Sequence, residues 1–415
     1  MNAENKNIRA RPRSSASHKL RLLVLAHVFP RTPDDTMGAF LLHLADTLAD
    51  CGISADVVAP HASGLADEET IGAARVHRFH YAPARWERLA YAGTMHEFVA
   101  RGIHYQFLFA LFIAAFLLKT HVVVRAARPQ IIHAHWWLPG GLVGALAALL
   151  TRTPLVITTH GTDIEMLRRT RWATPLARFT FSRARAITCG STYLREQLLE
   201  LGAADAARVS VVPMPVNSEF ETQLANYELR ITNSLLTVAR LTKQKSIDTL
   251  IEAMAHLPDA RLTIIGDGPE RAALEEQTHD ANLQDRVKFL GALPQSELPN
   301  YYARCSGFVL PSIREGMGLV LAEALLCGAP VVAANSGGVT DIVKDGETGL
   351  LFPEGDAAAL AAAISKLLND PALAKRLAAN GRVWVRERFT PKRVATQFTQ
   401  IYSDVGNLKS QISNL

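Results

Sequence analysis

Short, uninterrupted apolar segments alternate with helix-patterned stretches along almost the whole chain. This alternation limits the possible folds more than any other feature. Residues 20–26 form the first such segment, and a helical pattern follows over 38–50. Residues 55–59, 130–134, 155–159, 186–189 and 209–212 read as further strands, with helices expected at 103–126, 141–150, 163–184 and 191–201. A strand that is apolar throughout is buried on both faces, which is the situation of a parallel sheet covered by helices. The rhythm stops between Pro213 and Thr232, where Pro213, Pro215 and Asn217 interrupt it. It restarts with strands at 235–239, 262–265, 287–290, 308–310 and 331–334, and with helices at 246–256, 269–279, 295–304, 319–327 and 356–369. The expectation is an α/β chain of two doubly wound parallel-sheet domains, 19–217 and 218–390, after a polar mobile tail at 1–18. Ligands of such sheets collect beyond the C-terminal strand ends, so the two sets of loops should face each other across a cleft.

A length of 415 residues suits two domains, and 48% hydrophobic with 20% charged residues is a globular composition. The longest unbroken apolar run is 107–118, 12 residues. A membrane span needs about 20, so this run is expected to be a buried helix. Arg9, Arg11, Arg13, Lys19 and Arg21 are basic, but no small-residue cleavage site follows residues 20–28, so no signal peptide is read. Cys51, Cys189, Cys305 and Cys327 lie far apart in apolar patterns and are expected to be reduced core thiols of a cytoplasmic protein. The net charge of +5 is uneven: residues 1–210 carry +8 and the remainder −3. The basic half should therefore meet the more acidic partner. A basic surface alone is weak evidence for nucleic acid, and none is expected as a partner.

The most informative stretch is PSIREGMGLVLAEALLCG, residues 311–328. Glu315 lies in a loop after a strand, and Gly316 and Gly318 open the next helix. Glycines there let backbone N–H groups approach an anion, and a helix N-terminus favours a diphosphate. Glu323 is the only Asp, Glu, Lys, Arg or His between Gly316 and Thr340. A carboxylate on so apolar a helix needs hydrogen-bond donors, which sugar or ribose hydroxyls would supply; a capping or salt-bridged Glu is the plainer alternative. Arg240 and Lys245 flank the end of the second domain's first strand, where two cations could neutralise a leaving diphosphate. Gly266 follows a strand end in IIGDGP, and Gly38 stands at a helix start. In the first domain His160 ends a strand ahead of Gly161. His133, His135 and His160 could be imagined as metal ligands, but no cysteine or carboxylate spacing supports this, and no metal is assigned.

Together these pieces resemble a known family, the GT-B-fold glycosyltransferases of family four, the large retaining nucleotide-sugar group. The resemblance runs from Leu20 to about Asp404 and rests on Glu315 and Glu323, on Arg240 with Lys245, and on the runs PVVAANSGG at 330–338 and DGETGLL at 345–351. It implies two Rossmann-like domains, with a last helix over 391–415 crossing back to the first. It implies that Glu323 holds the ribose hydroxyls and Glu315 the transferred sugar. The amides of Gly316, Met317, Gly318 and Leu319 would meet sugar and phosphates, with Arg240 and Lys245 on the diphosphate and His160 beside the sugar. It also implies transfer with retention, without metal or cofactor. The departures are Ser246 where the family has Gly, a single Gly38 in the first loop, and PMPVN at 213–217 ahead of the linker. They bear on loop geometry and remove no charged group.

UDP is the commonest donor of the family and GDP the next. The basic first domain, with Arg168, Arg169, Arg171, Trp172, Arg178, Arg183 and Arg185, suggests a saccharide or polyprenyl-linked acceptor at an anionic inner membrane surface. That would be a step in cell-surface polysaccharide assembly. A nucleotide-sugar epimerase of the same fold and a non-catalytic binding protein are the alternatives.

Overall fold

The computed structural model describes residues 20–35, 37–91, 95–217, 219–222 and 232–412. The tail expected over 1–18 lies outside them.

Two sheets carry the chain. The first contains β1 (Leu20–Leu25), β2 (Ile53–Pro60), β3 (Glu68–Ile71), β4 (Ala74–Phe79), β5 (Ile131–His135), β6 (Leu155–Thr159), β7 (Ala186–Cys189) and β8 (Val209–Val211). Their spatial order is β3-β4-β2-β1-β5-β6-β7-β8, parallel except for the β3–β4 hairpin. The second sheet is parallel throughout, ordered β11-β10-β9-β12-β13-β14. Its strands are β9 (Ser234–Val238), β10 (Arg261–Ile265), β11 (Val287–Gly291), β12 (Gly307–Leu310), β13 (Val331–Ala334) and β14 (Leu350–Phe352). Each sheet reverses its winding once, between β1 and β5 and between β9 and β12, and loops at such a switch point open into a crevice. The alternation thus forms the two doubly wound domains it predicts.

The helix Pro391–Ile412 follows the second sheet but packs on the first. Val394, Ala395, Phe398, Tyr402 and Val405 join Leu41, Leu44 and Leu48 of the helix Ala39–Asp50 in one buried cluster. The Tyr402 hydroxyl lies 2.8 Å from His133 Nδ1, under β5.

Two expectations need correction. The apolar run 107–118 is part of a 25-residue helix, Ile103–Ala127, long and apolar enough by length and composition to cross a bilayer. It is not buried: Phe112 and Phe116 sit on the first sheet, while Phe107 is 66% and Leu118 68% exposed. One stripe of the helix meets the sheet, and the opposite face is uncovered by any described element. Cys51, expected in the core, is exposed at the C-terminal cap of the helix Ala39–Asp50; the other three thiols are buried. The hairpin β3–β4, the short β14 and the helix Pro371–Arg386 were not expected from the pattern.

Candidate functional site

The loop after β12 runs into the helix Leu319–Leu326, whose N-terminal cap is Gly318 at φ 78°. Glu315 in this loop is buried, and Lys245, from the turn Lys243–Lys245 beyond β9, places its Nζ 2.5 Å from Glu315 Oε2. Two bonds stitch the loops together: Ile313 N donates to the Gln244 carbonyl at 2.8 Å, and Gln244 Nε2 to the Arg314 carbonyl at 3.1 Å. A third loop, after β13, closes from the other side. Gly338 N donates to the Glu315 carbonyl at 2.7 Å, and Arg314 N to Ser336 Oγ at 2.6 Å. Gly337 (φ 60°) has no room for a side chain, since a Cβ would lie 2.2 Å from the Glu315 carbonyl oxygen. Burial pushes the Glu315 carboxyl up, but the charge and hydrogen bond of Lys245 outweigh it and hold the group below its ordinary value.

Glu323 lies one helical turn further in, also buried. It accepts from the Tyr302 hydroxyl at 3.0 Å and from Gln295 Nε2 at 3.4 Å, with no cation among its partners. Burial raises its carboxyl to about 7, which the two hydrogen bonds only partly oppose. Gln295 Oε1 in turn lies 2.8 Å from His43 Nε2, on the first domain's helix Ala39–Asp50. Arg240 is exposed directly after β9. Gly266 and Gly38 have backbone reasons for their identity: a Cβ on Gly266 (φ 130°) would fall 1.9 Å from the Ala239 carbonyl oxygen. On Gly38 (φ 79°) it would lie 3.2 Å from that of Val28.

On the facing side, His160 directly follows β6 and puts Nε2 2.9 Å from His135 Nδ1. The Trp136 ring lies 4.4 Å and the Phe40 ring 5.0 Å from it, centroid to centroid. The buried Asp163 carboxylate fixes the turn, accepting from the backbone N–H of His160 at 3.0 Å, Gly161 at 3.1 Å and Trp137 at 3.0 Å. Burial, helped by His133 and His27, lowers His160 to about 3, so its imidazole is neutral at physiological pH. His133 turns away: its Nε2 lies 2.7 Å from Thr158 Oγ and its Nδ1 meets Tyr402. The three histidines therefore do not converge as a ligand set.

The two sides touch at Gly316. Ser191 Oγ donates to the Gly316 carbonyl at 2.6 Å, and Thr192 N to Asp341 Oδ2 at 2.6 Å. A Cβ on Gly161 would lie 3.3 Å from Gly316 Cα. Met317 and Leu319 pack against apolar clusters of both domains. The structure thus brings Glu315, Gly316, Met317, Lys245 and His160 to one junction between the sheets, with Glu323 just behind it.

Residues 227–384 match the family described as glycosyl transferases group 1, and residues 35–215 match a glycosyl transferase 4-like domain. A 2-deoxystreptamine glucosyltransferase of Streptomyces kanamyceticus is 30% identical over 281 residues, covering 62% of this chain and 72% of that one. The chain belongs to the group 1 glycosyl transferases. As a glycosyltransferase it moves a sugar, and its fold is GT-B. The sucrose-phosphate synthase of Thermosynechococcus elongatus superposes with a TM-score of 0.78 at 25% identity, covering 93% of this chain and 99% of that one. HepE from Anabaena, solved with UDP and glucose, shares the fold with a TM-score of 0.69 at 22% identity over 93% of this chain and 100% of that one.

Four contributors to this candidate site were not singled out from sequence: Tyr302, Gln295, Ser191 and Gly337. Gly337 had a signal, since adjacent glycines after a buried strand mark a close backbone approach. The others are polar residues on ordinary helices and loops, with nothing local to distinguish them.

Proposed function

We propose that this glycosyltransferase moves a sugar, with retention, from a nucleotide-sugar donor to a saccharide or polyprenyl-linked saccharide in cell-surface polysaccharide assembly. A UDP-sugar is the first choice of donor and a GDP-sugar the next. The observation that carries the reading is Glu323: a buried carboxylate with two neutral partners, one turn behind a helix start whose loop carries Glu315, paired with Lys245 from the turn after β9. The diphosphate meets Arg240, Lys245 and the amides of Gly316 to Leu319, where the helix start adds positive potential. Ribose hydroxyls donate to Glu323, while Glu315 and neutral His160 bind hydroxyls of the transferred sugar. The leaving phosphate oxygen takes the acceptor's proton as the new glycosidic bond forms on the same face of the sugar. Cationic side chains stabilise that phosphate, so EDTA should not abolish transfer.

The acceptor side is the basic first domain, acting in the cytoplasm. Its exposed apolar surface comprises Phe107, Leu111, Leu118 and Val122, with Leu149 and Leu150 of the adjoining helix Leu142–Thr151. Such a surface supports peripheral contact with an anionic inner membrane face. The experiment is a thermal-shift screen of UDP, GDP and ADP, followed by proton NMR of the product's anomeric centre. A nucleotide at 100 times its Kd should stabilise the protein by about 2.7 kcal/mol. No shift with any nucleotide, or an inverted product, would overturn the reading.

A further inference from the structure

Four side chains converge where β2 and β4 end, one strand in from the β3 edge of the first sheet. β2 and β4 are paired with Pro60 opposite Phe79, so the next residues, His61 and His80, emerge together. Their rings lie 3.8 Å apart, centroid to centroid, tilted by 35°. Glu87, its side chain only 1% exposed, lies behind both: Oε2 is 2.7 Å from His61 Nδ1 and Oε1 is 3.3 Å from His80 Nδ1. The Nε2 atoms face one loop between β2 and β3. His80 Nε2 is 2.9 Å from Asp67 Oδ1, and His61 Nε2 is 3.1 Å from the Leu65 carbonyl oxygen.

Donor counting makes this arrangement informative. A neutral imidazole has one N–H, and ionised carboxylates and carbonyls only accept. All four ring nitrogens here face oxygen. With both Nδ1–H groups given to Glu87, each Nε2 lone pair points at an oxygen lone pair. Two neutral imidazoles bring two N–H donors to these four contacts, two too few. A single cation on the Nε2 side removes the conflict and leaves Glu87 in the place where metal-bound histidines usually keep a carboxylate.

We propose that His61, Asp67 and His80 bind a divalent transition cation of the zinc class, with Glu87 as the positioning carboxylate. One donor atom from each of the three already lies within 4.8 Å of the others. Two imidazole nitrogens with a carboxylate oxygen suit zinc, nickel or copper(II) better than magnesium or calcium, which prefer all-oxygen sets. His80 is 48% and Asp67 69% exposed, so the cation has a path from solvent. It would clip the 61–67 loop to the segment after β4. Between them, Arg78 reaches the Pro30 carbonyl at 2.9 Å and the Tyr91 hydroxyl at 2.7 Å. The clip thereby steadies the loop that leads to Gly38. This cation is separate from Arg240 and Lys245 and takes no part in neutralising the diphosphate.

The test uses the full chain with Cys51→Ser, which removes the exposed thiol as a competing ligand, stripped of metal and titrated with Zn²⁺ by calorimetry. One equivalent should bind and raise Tm. His80→Ala and Asp67→Asn change exposed side chains; each should weaken binding about 100-fold and abolish the Tm rise, at least matching the usual loss of an outer-shell partner. Co²⁺ in place of Zn²⁺ should give a visible d–d band in the parent that is absent from His80→Ala. Absence of Zn²⁺ binding by the parent would mean that protons satisfy the cluster, and undiminished binding by His80→Ala would place the metal elsewhere. Either result overturns the proposal.

Discussion

Lys245 Nζ rests 2.5 Å from Glu315 Oε2, so the cation proposed for the diphosphate is already paired with the carboxylate proposed for the sugar. Lys245 is partly buried, and removing it strands the buried Glu315 carboxylate. Lys245→Met is expected to cost about 3 kcal/mol, the low end for such a pair, whereas the double variant with Glu315→Gln should recover most of it. Neither should transfer sugar. Urea unfolding of the three proteins checks this; a double variant no more stable than Lys245→Met would refute the coupling.

Glu315→Ala and Glu323→Ala should fail differently. On the proposed roles, Glu315 faces the group being transferred, so its loss should lower kcat, while Glu323 serves the ribose almost equally before and during reaction, so its loss should weaken nucleotide binding. Steady-state kinetics with nucleotide titrations separate the two. Wild-type behaviour in both variants would remove these residues from the site.

Glu323 should also impose a pH dependence on the ligand-free protein. Burial lifts its carboxyl from 4.5 to about 7. The folded state therefore keeps a proton that the unfolded chain releases earlier. The associated stability is complete below the unfolded value and is lost as pH rises through the folded one, amounting to about 3 kcal/mol at 1.36 kcal/mol per unit. Glu323→Gln should be more stable than the parent at pH 8, similar at pH 4.5, and poorer at binding nucleotide. A Gln variant less stable than the parent at pH 8 would contradict the assignment.

Gly337→Ala tests the loop behind Glu315. Its Cβ would stand 2.2 Å from the Glu315 carbonyl oxygen, at φ 60°. Gly346, at φ 71° with nothing within 4 Å of a Cβ, is the control for backbone strain alone. Both substitutions incur strain of roughly 1–3 kcal/mol, but only Gly337→Ala must displace the donor loop. Its kcat/KM should fall by at least about 10-fold relative to Gly346→Ala, equivalent to some 1.4 kcal/mol. Equal activity in the two would show that the loop tolerates the shift.

Membrane contact is tested by co-sedimentation with phosphatidylglycerol vesicles and with neutral ones, at low and high salt. Binding is expected to the anionic vesicles only and to weaken with salt, at about 1 kcal/mol per basic residue near the surface. Arg168 and Arg169 both pair with Glu165, so replacing them and Arg171 with Gln should weaken binding less than replacing Phe107 and Leu118 with Glu. Nucleotide binding should be unchanged in either variant. No binding at low salt would point to a soluble acceptor.

The strands easiest to read were those that the fold buries on both faces. β5, β6 and β12 are buried at every position. β3 was illegible because Glu68, Glu69 and Thr70 sit on an edge strand, where polar residues are favoured over an apolar run. In the site, Glu323 was conspicuous as one charge in a long apolar stretch. Its partners Tyr302 and Gln295 were not, because helix packing brings them from another segment. The run 107–118 shows a further limit: apolar composition marks a surface that avoids water without saying whether the rest of the chain covers it.

The helix Pro391–Ile412 supplies Phe398 and Tyr402 to the core of the first domain. During synthesis on the ribosome, that core stays open until Pro391–Ile412 has emerged, after every strand of the second sheet. The first half must wait with an apolar groove uncovered, which makes it a natural client for chaperones. A stop codon just ahead of Pro391 would spare every residue assigned here to the donor and still leave the acceptor half unfinished.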